Sequence, residues 1–267
     1  RTGINYDKAN EFCANRGDWI TMIDYLEYCA LQALCYIEYA NFNNQATLNT
    51  NLTSDGFKQG GLGNGVTNLN WERWTAFNGN NPIVQTYWTA EHNIGNDSTN
   101  GDHYELGNYN TDGSNLSTYP AVYRGILNFF GDIWTFIRDV VIVNRNANYN
   151  SVYLLKKGVN HADITIDNIQ DKCYFIGDQA NSNNFITEFD FRFGPYFIPN
   201  KVGTNKKADY NWIRGNNGQD TDKAVRVLLL GGGANDGSWA GSGYFDSNWV
   251  RSASDASVGF FTTVKLD

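Results

Sequence analysis

A chain of 267 residues with 15% aromatic and 18% charged side chains can bury a substantial core, and its balance is the reverse of what intrinsic disorder needs. The net charge of −8 and pI near 4.8 exclude a nucleic-acid backbone as partner, because that partner demands a basic face. No polybasic run points to a membrane surface, and the longest apolar stretch, 20–39, is too broken by Asp24, Glu27, Gln32 and Glu38 to insert.

The chain opens on RTGINY with no signal-peptide pattern, which reads as the point where a leader, tag or preceding domain has been removed. Residues 5–16 predict a short helix. Ala9, Phe12, Cys13 and Arg16 recur at three- and four-residue spacing, and Gly17 stands where a C-terminal glycine cap belongs. Thr21 to Asp24 has the form of a capping box opening a longer helix over 22–41. Ile23, Leu26, Ala30, Ala33, Leu34 and Ile37 form its apolar stripe, and Tyr25, Tyr28, Tyr36 and Tyr39 broaden it, so this helix is expected to be buried on much of its circumference.

After Phe42 the texture changes. Residues 43–120 hold turn chemistry with scattered Trp71, Trp74 and Trp88, a loop-rich insertion of the kind that is usually functional or a packed excursion. GGLGNG at 60–65 lacks the preceding strand, following helix and Lys-Ser/Thr pair of a phosphate loop. Sequons begin at Asn51, Asn96 and Asn115, as chance provides in a chain so rich in Asn. From Tyr123 order resumes. YRGILNFFGDIWTFIRDVVIVN predicts a turn at Gly131-Asp132 flanked by strands, and further strand signals stand at 152–155, 173–176 and 185–193. In the last, Phe185, Thr187, Phe189 and Phe191 alternate with Ile186, Glu188, Asp190 and Arg192. There is no internal repeat and no linker. The order of helices and then strands predicts a single α+β domain over 1–267, two N-terminal helices packed on antiparallel strands with long loop insertions.

Cys13, Cys29, Cys35 and Cys173 are too few and too irregular for a disulfide scaffold and contain no CxxC pair, so they read as buried, reduced small hydrophobes suited to a reducing cytoplasm. The six-residue step from Cys29 to Cys35 does not put both on one helix face.

The most informative stretch is the end, 226–264. An apolar run (Val227, Leu228, Leu229, Leu230) enters three glycines; small polar residues follow, punctuated by Trp239, Tyr244, Phe245 and Trp249; a second short strand is predicted at 258–264. Rigid aromatics among adaptable small residues is the composition of a paratope, not of a linker.

NYDKANEFCANRGDW with MIDYLEYCALQALCYIEYANFNNQ, then YRGILNFFGDIW, FGPYFIPN, DYNW and RVLLLGGGAN with GSWAGSGYF and VGF together resemble the variable proteins of diversity-generating retroelements, over about 4–263. That resemblance implies a C-type-lectin fold of the branch shared with formylglycine-generating enzymes. It also implies a hypervariable C-terminal surface, rewritten at template adenines, that binds a ligand noncovalently. On this chain the diversified positions would be Gly233, Asn235, Asp236, Trp239, Asp246, Asn248, Trp249, Arg251 and Asp255, with Gly231, Gly232, Gly237, Gly241 and Gly259 as scaffold. Two departures stand out. Adenine changes in an Asn codon ending in C do not produce Trp239 or Trp249, and VGFFTTV lacks the Arg that commonly follows VGF or VGA in the family.

Trp239, Tyr244 and Trp249 are the expected affinity anchors, with core packing as the competing reading, strongest for Tyr244 and Phe245. Asp236, Asp246, Arg251 and Asp255 read as ligand contacts or as solvated loop charges, and Tyr210 and Trp212 as flanking the site or as core. DSN at 246–248 offers oxygen ligands, but no Glu-Pro-Asn or Trp-Asn-Asp pattern stands there, and no metal or cofactor is expected. Catalysis is not expected either. The related oxidase chemistry needs a cysteine pair in the C-terminal half, which holds Cys173 alone. His92, His103 and His161 lack triad spacing, and Glu38 and Asp132 read as buried groups satisfying backbone. The resemblance implies adhesion of a phage tail-fibre tip in the virion to a bacterial surface protein or glycan receptor, alternatively a bacterial surface-displayed variable adhesin. A homotrimer, frequent in such fibre tips, would multiply a weak single-site affinity. A purely structural virion component is a third reading, and it leaves the cassette unexplained.

Overall fold

The computed structural model describes residues 3–44, 86–91, 103–106, 122–144 except 125, 128 and 132, 149–206, 208–213, 224–233, 236, 239–255 and 257–264. Two helices come first, α1 (Tyr6–Ala14) and α2 (Tyr25–Tyr39), with the short strand β1 (Ile20–Met22) between them. Two small hairpins follow, β2 (Thr86–Glu91) with β3 (His103–Leu106) and β4 (Val122–Tyr123) with β5 (Ile126–Leu127). The rest is mostly sheet: β6 (Trp134–Asn144), β7 (Tyr149–Leu155), the one-turn helix α3 (Ile169–Lys172), β8 (Cys173–Ala180), β9 (Asn184–Asp190), β10 (Ile198–Gly203), β11 (Tyr210–Trp212), β12 (Val225–Gly231), β13 (Gly241–Asp246), β14 (Val258–Gly259) and β15 (Thr262–Val264). The expected α+β class holds, weighted towards β. The loop-rich reading of 43–120 gains the β2–β3 hairpin, while 60–65 and the three sequons lie outside the described residues.

The main sheet runs β10-β9-β11-β13-β12-β6-β7-β8, with β14 beside β6. Neighbours are antiparallel except at β11–β13 and β14–β6. Its two ends curl towards each other. Asn200 Nδ2 donates to the Asp178 carbonyl across them at 3.3 Å, and Asp178 N donates to Asp190 Oδ2 at 3.4 Å. The result is a nearly closed, barrel-like sheet.

Alternation along β12 sorts the core into two. Leu228 and Leu230 join Phe245, Ile137 and the α2 side chains Tyr25, Tyr28 and Cys29, whereas Val227 and Leu229 join Tyr244, Phe136 and the α1 side chains Tyr6, Ala9 and Cys13. The helices therefore cover opposite faces, and β12, buried on both, is the continuous apolar run that such a strand requires.

Asn5 starts α1 by accepting Lys8 N at 2.9 Å, and the helix ends at Ala14, two residues short of the expected boundary, with Gly17 in the turn beyond. The capping box of α2 stands three residues later than expected. Asp24 Oδ1 accepts Glu27 N at 2.9 Å while Glu27 Oε2 accepts Asp24 N at 3.0 Å. Thr21 lies instead in β1, paired with Thr263 of β15, because closing the chain's two ends together takes residues 20–22 as strand.

The apolar stripe of α2 is the larger correction. The helix buries Tyr25, Tyr28, Cys29, Gln32, Cys35 and Tyr36, while Leu26, Leu34 and Ile37 are 49%, 52% and 77% exposed. The ring face won because aromatic partners await it: Tyr25 stacks on Tyr196 at 5.5 Å and Tyr28 on Phe129 at 5.8 Å. Cys29 and Cys35 are both buried, since the face against the sheet is wide enough to take both. In β9 the expected alternation does not hold, since Phe185 and Ile186 are both buried and Thr187 and Glu188 both exposed, and the strand ends at Asp190. Arg192 returns to grip that carboxylate at 2.6–3.0 Å, which ends the strand and leaves Phe191 half exposed.

Candidate functional site: the C-terminal cassette

The cassette is not one long loop. Residues 241–246, in the middle of the expected paratope, form β13, a buried strand between β12 and β11 in the centre of the main sheet. The composition misled because the strand is built from glycine, serine and aromatics instead of β-branched residues. Its glycines are small for a reason. A Cβ on Gly241 would collide with the Asp209 carboxylate, and one on Gly243 with the Tyr36 hydroxyl. Gly232 adds a positive φ of 83° and a Cβ direction 2.8 Å from Tyr244 Cδ1.

The β12–β13 register explains what fills that space. Leu230 pairs with Phe245 but Gly231 pairs with Gly241, so Ser242, Gly243 and Tyr244 bulge out of the ladder. The amides lost to pairing find side chains: Gly243 N donates to Asp209 Oδ2 at 2.8 Å and Ser242 N to Asn44 Oδ1 at 2.6 Å. Asn44 N donates to Asp209 Oδ1 at 3.3 Å, and Gln32 Nε2 donates to Tyr36 Oη at 2.8 Å behind them. Burial pushes the Asp209 carboxyl up to about 7, against the opposing pull of these amide donors. This support was missed in the sequence. Its visible traces were glycines at alternate positions in GSGYF and an Asp before Tyr210.

The predicted contact residues divide sharply. Tyr244 is 2% exposed, its ring 4.4 Å from that of Trp134, so it is a core residue and not an anchor at the surface. Asp246 is 4% exposed. Its Oδ1 accepts Asn248 N at 2.6 Å and its Oδ2 accepts Trp249 Nε1 at 3.1 Å, so both oxygens that a calcium ion would use are turned to the protein. Asp236 turns its carboxylate onto Gly233 N at 2.5 Å, and Gly233 is buried. Burial raises the carboxyls of Asp236 and Asp246 to about 7. Asp255 accepts Ser257 N at 2.8 Å and Ser257 Oγ at 2.7 Å. Arg251 reaches α1, donating to both Asp7 oxygens at 2.8 Å. The charged residues are thus engaged within the fold: the three carboxylates accept from cassette amides, and Arg251 ties the cassette to α1. Asn235 and Gly237 lie outside the described residues.

At the surface, beside the exposed Ser252 and Ser254, stand aromatics. Trp239 stacks on Tyr210 at 4.8 Å and lies 6.1 Å from Trp212. Trp212 pairs in register with Asp246, whose carboxylate holds Trp249. Trp212, Trp239 and Trp249 are all half-buried, their inner edges packed on the α1-side core, with Asn248 beside them. DYNW does flank the cassette: Trp212 sits at its rim and Tyr210 beneath.

Elsewhere the chemistry is quiet. A cleft of about 710 Å³ lies between α1, β1, β6 and the segment 155–162. Several of the titratable groups lining it are engaged in the fold. Tyr6 Oη donates to the Arg138 carbonyl, Asp139 Oδ1 accepts the α2 amide of Tyr25 at 2.9 Å, and His161 Nε2 donates to the Arg226 carbonyl at 3.3 Å. Burial raises Asp139 to about 6 and lowers His161 to about 4. The four cysteines are buried and unpaired, with burial pushing Cys29 and Cys35 up to about 12 and Cys173 to about 11, which makes poor nucleophiles of them. Glu38 is buried as expected, but its partners are side chains, Tyr123 Oη at 3.0 Å and Arg124 Nε at 3.1 Å, and not backbone. Asp132 and His92 lie outside the described residues. Among the described residues no three His, Cys, Asp or Glu gather as a metal site, and no helix is long and apolar enough to cross a membrane. Compared with known proteins, the chain matches no family model and no curated protein.

Proposed function

We propose that this chain is a noncovalent binding domain of the diversity-generating-retroelement type with a C-type-lectin-like fold. It holds its ligand on the tryptophan rim formed by Trp212, Trp239 and Trp249 and on the adjoining residues 247–255. The observation that supports this most is the division of labour inside the cassette. Glycines, carboxylates turned onto cassette amides, and Arg251 hold the backbone, while half-buried tryptophans and the exposed Ser252 and Ser254 face outward. A surface that must accept different side chains without changing shape needs that separation, because its backbone cannot depend on residues that vary.

The separation also revises which positions are free to vary. Asn248, Trp239, Trp249 and the exposed Ser252 and Ser254 fit the part, whereas Asp246, Gly233 and Asp236 carry the backbone. The setting is a phage tail-fibre tip facing a bacterial surface protein or glycan, or a bacterial surface-displayed adhesin, and not an enzyme. The test is genomic: a neighbouring, near-identical copy of the segment encoding 226–261, differing at adenines and accompanied by a reverse transcriptase. Differences confined to the codons of the outward residues support the reading; a genome with no such copy overturns it.

A further inference from the structure

The main sheet does not close by backbone pairing. At its seam β8 meets β10 and β9 through side chains in place of a ladder: Asn200 donates to the Asp178 carbonyl, and Asp190 accepts the Asp178 amide. A cleft of about 520 Å³ lies on this seam, a size typical of small-molecule sites. It shares no residue with the cassette or with the larger cleft beside α1.

Two kinds of surface line it. One is aromatic: Tyr149 and Phe191 are 37% and 50% exposed, and Phe191 is set edge to face against Phe197 at 5.1 Å. The other is planar and polar. Arg192 donates to the buried Asp190 through Nε and Nη2 and to Asp178 through Nη2, which fixes its guanidinium in place. Lys201 Nζ holds Glu188 by Oε2 at 2.6 Å. Among the described residues Arg192 Nη1 has no acceptor and Glu188 Oε1 no donor, and both side chains are exposed.

That combination selects the ligand. Each carboxylate of the cleft already faces a cation, so an ionic ligand would have to displace Arg192 or Lys201. Three carboxylates against those two cations also turn anions away. What the cleft still offers is the Nη1 donor, the Oε1 acceptor and two aromatic rings. A sugar uses all of them at once. Its hydroxyls accept from Nη1 and donate to Oε1, while the C–H face of its ring lies on Tyr149 or Phe191. No ion pair has to break.

We propose that the cleft at the β8–β10 seam binds a neutral oligosaccharide, with Tyr149 and Phe191 as stacking platforms and Arg192 and Glu188 as hydroxyl contacts. The site is separate from the tryptophan rim and stands whether or not the rim holds a ligand.

The test is an amide-resolved NMR titration of the full chain with maltotriose, cellotriose and triacetylchitotriose, neutral trisaccharides of different linkage, each up to about 10 mM. At least one should bind, with shifts centred on 149, 178 and 188–192. Its affinity should be the same at about 0.05 and 0.5 M salt, since no charge is matched by the ligand. Tyr149→Ala and Phe191→Ala should each weaken binding more than about tenfold while leaving the thermal transition near that of the parent, because both rings are largely at the surface. Four results would each overturn the proposal: no binding by any of the three sugars, an affinity that falls steeply with salt, indifference to both alanine variants, or shifts centred on the cassette instead of the seam.

Discussion

The C-terminal cassette and helix α2 are mirror images of each other. The cassette is made of Gly, Ser, Asn and Asp, the composition of a surface, yet it contributes a central buried strand and its charges face inward. The helix carries a Leu, Ala and Ile stripe, the composition of a core, yet that stripe faces out. Composition states what a side chain prefers. Topology decides what it meets. Between β12 and β11 a strand is wanted whatever its residues, and the bulge that accommodates it is sealed by Asp209 and Asn44. On α2 two apolar faces compete for one sheet, and the face whose rings have partners takes it.

Substitutions that test this contrast should fall in a steep order. Gly241→Val comes first, because the added side chain must displace the Asp209 carboxylate from the centre of the sheet. A loss of about 4 kcal/mol or more in urea unfolding is expected, enough to make expression fail. Asp209→Ala follows at about 2–3 kcal/mol, since it strands the buried amides of Gly243 and Asn44. Trp239→Ala should cost about 1–2 kcal/mol of stability by losing its stack on Tyr210 and, under the proposed function, abolish adhesion to the host surface. A variant that keeps adhesion removes Trp239 from the rim. Leu34→Glu belongs at the bottom, within about 0.5 kcal/mol, although sequence alone ranks it as a core disruption.

The same buried carboxylates set a pH dependence. Asp209, Asp236 and Asp246 are raised from 3.8 to about 7, and Asp139 to about 6, so the folded chain binds more protons than the unfolded chain in that range. Their contribution is fully present below about 3.8 and is lost as pH rises through 6–7. His161 works the other way, its pKa lowered from 6.5 to about 4, so its contribution is lost as pH falls through that window. Four groups against one predict a higher urea midpoint at pH 5 than at pH 8. Asp209→Asn should flatten the difference, and a midpoint that rises from pH 5 to pH 8 would show the carboxylates to be solvated.

Strands and helices were legible where one residue type dominates: α1, α2, β6, β7, β8 and β12 all announce themselves. Boundaries slipped where a polar side chain sets them, as Asp24 does for α2 and Asp190 with Arg192 for β9. Part of the chain's abundant Asn serves interior hydrogen bonding, which its sequence does not announce, with Asn211 Nδ2 donating to the Ala180 and Ser182 carbonyls and Asn44 serving β13. In the cassette, the partly exposed placement of Trp239 and Trp249 and the flanking position of DYNW were legible. The inward turn of Asp236, Asp246 and Asp255 was not, because an Asx acceptor and a ligand contact have the same sequence.

Amide hydrogen exchange, read residue by residue across 226–264, distinguishes a buried strand in the cassette from a single loop. Residues 241–246, including the Ser242 and Gly243 amides held by Asn44 and Asp209, should exchange as slowly as β12 and β6, while the exposed, flanking Ser252 and Ser254 exchange far faster. Exchange of 241–246 at the rate of those flanking residues would contradict the buried strand and return the cassette to the single loop that its composition suggests.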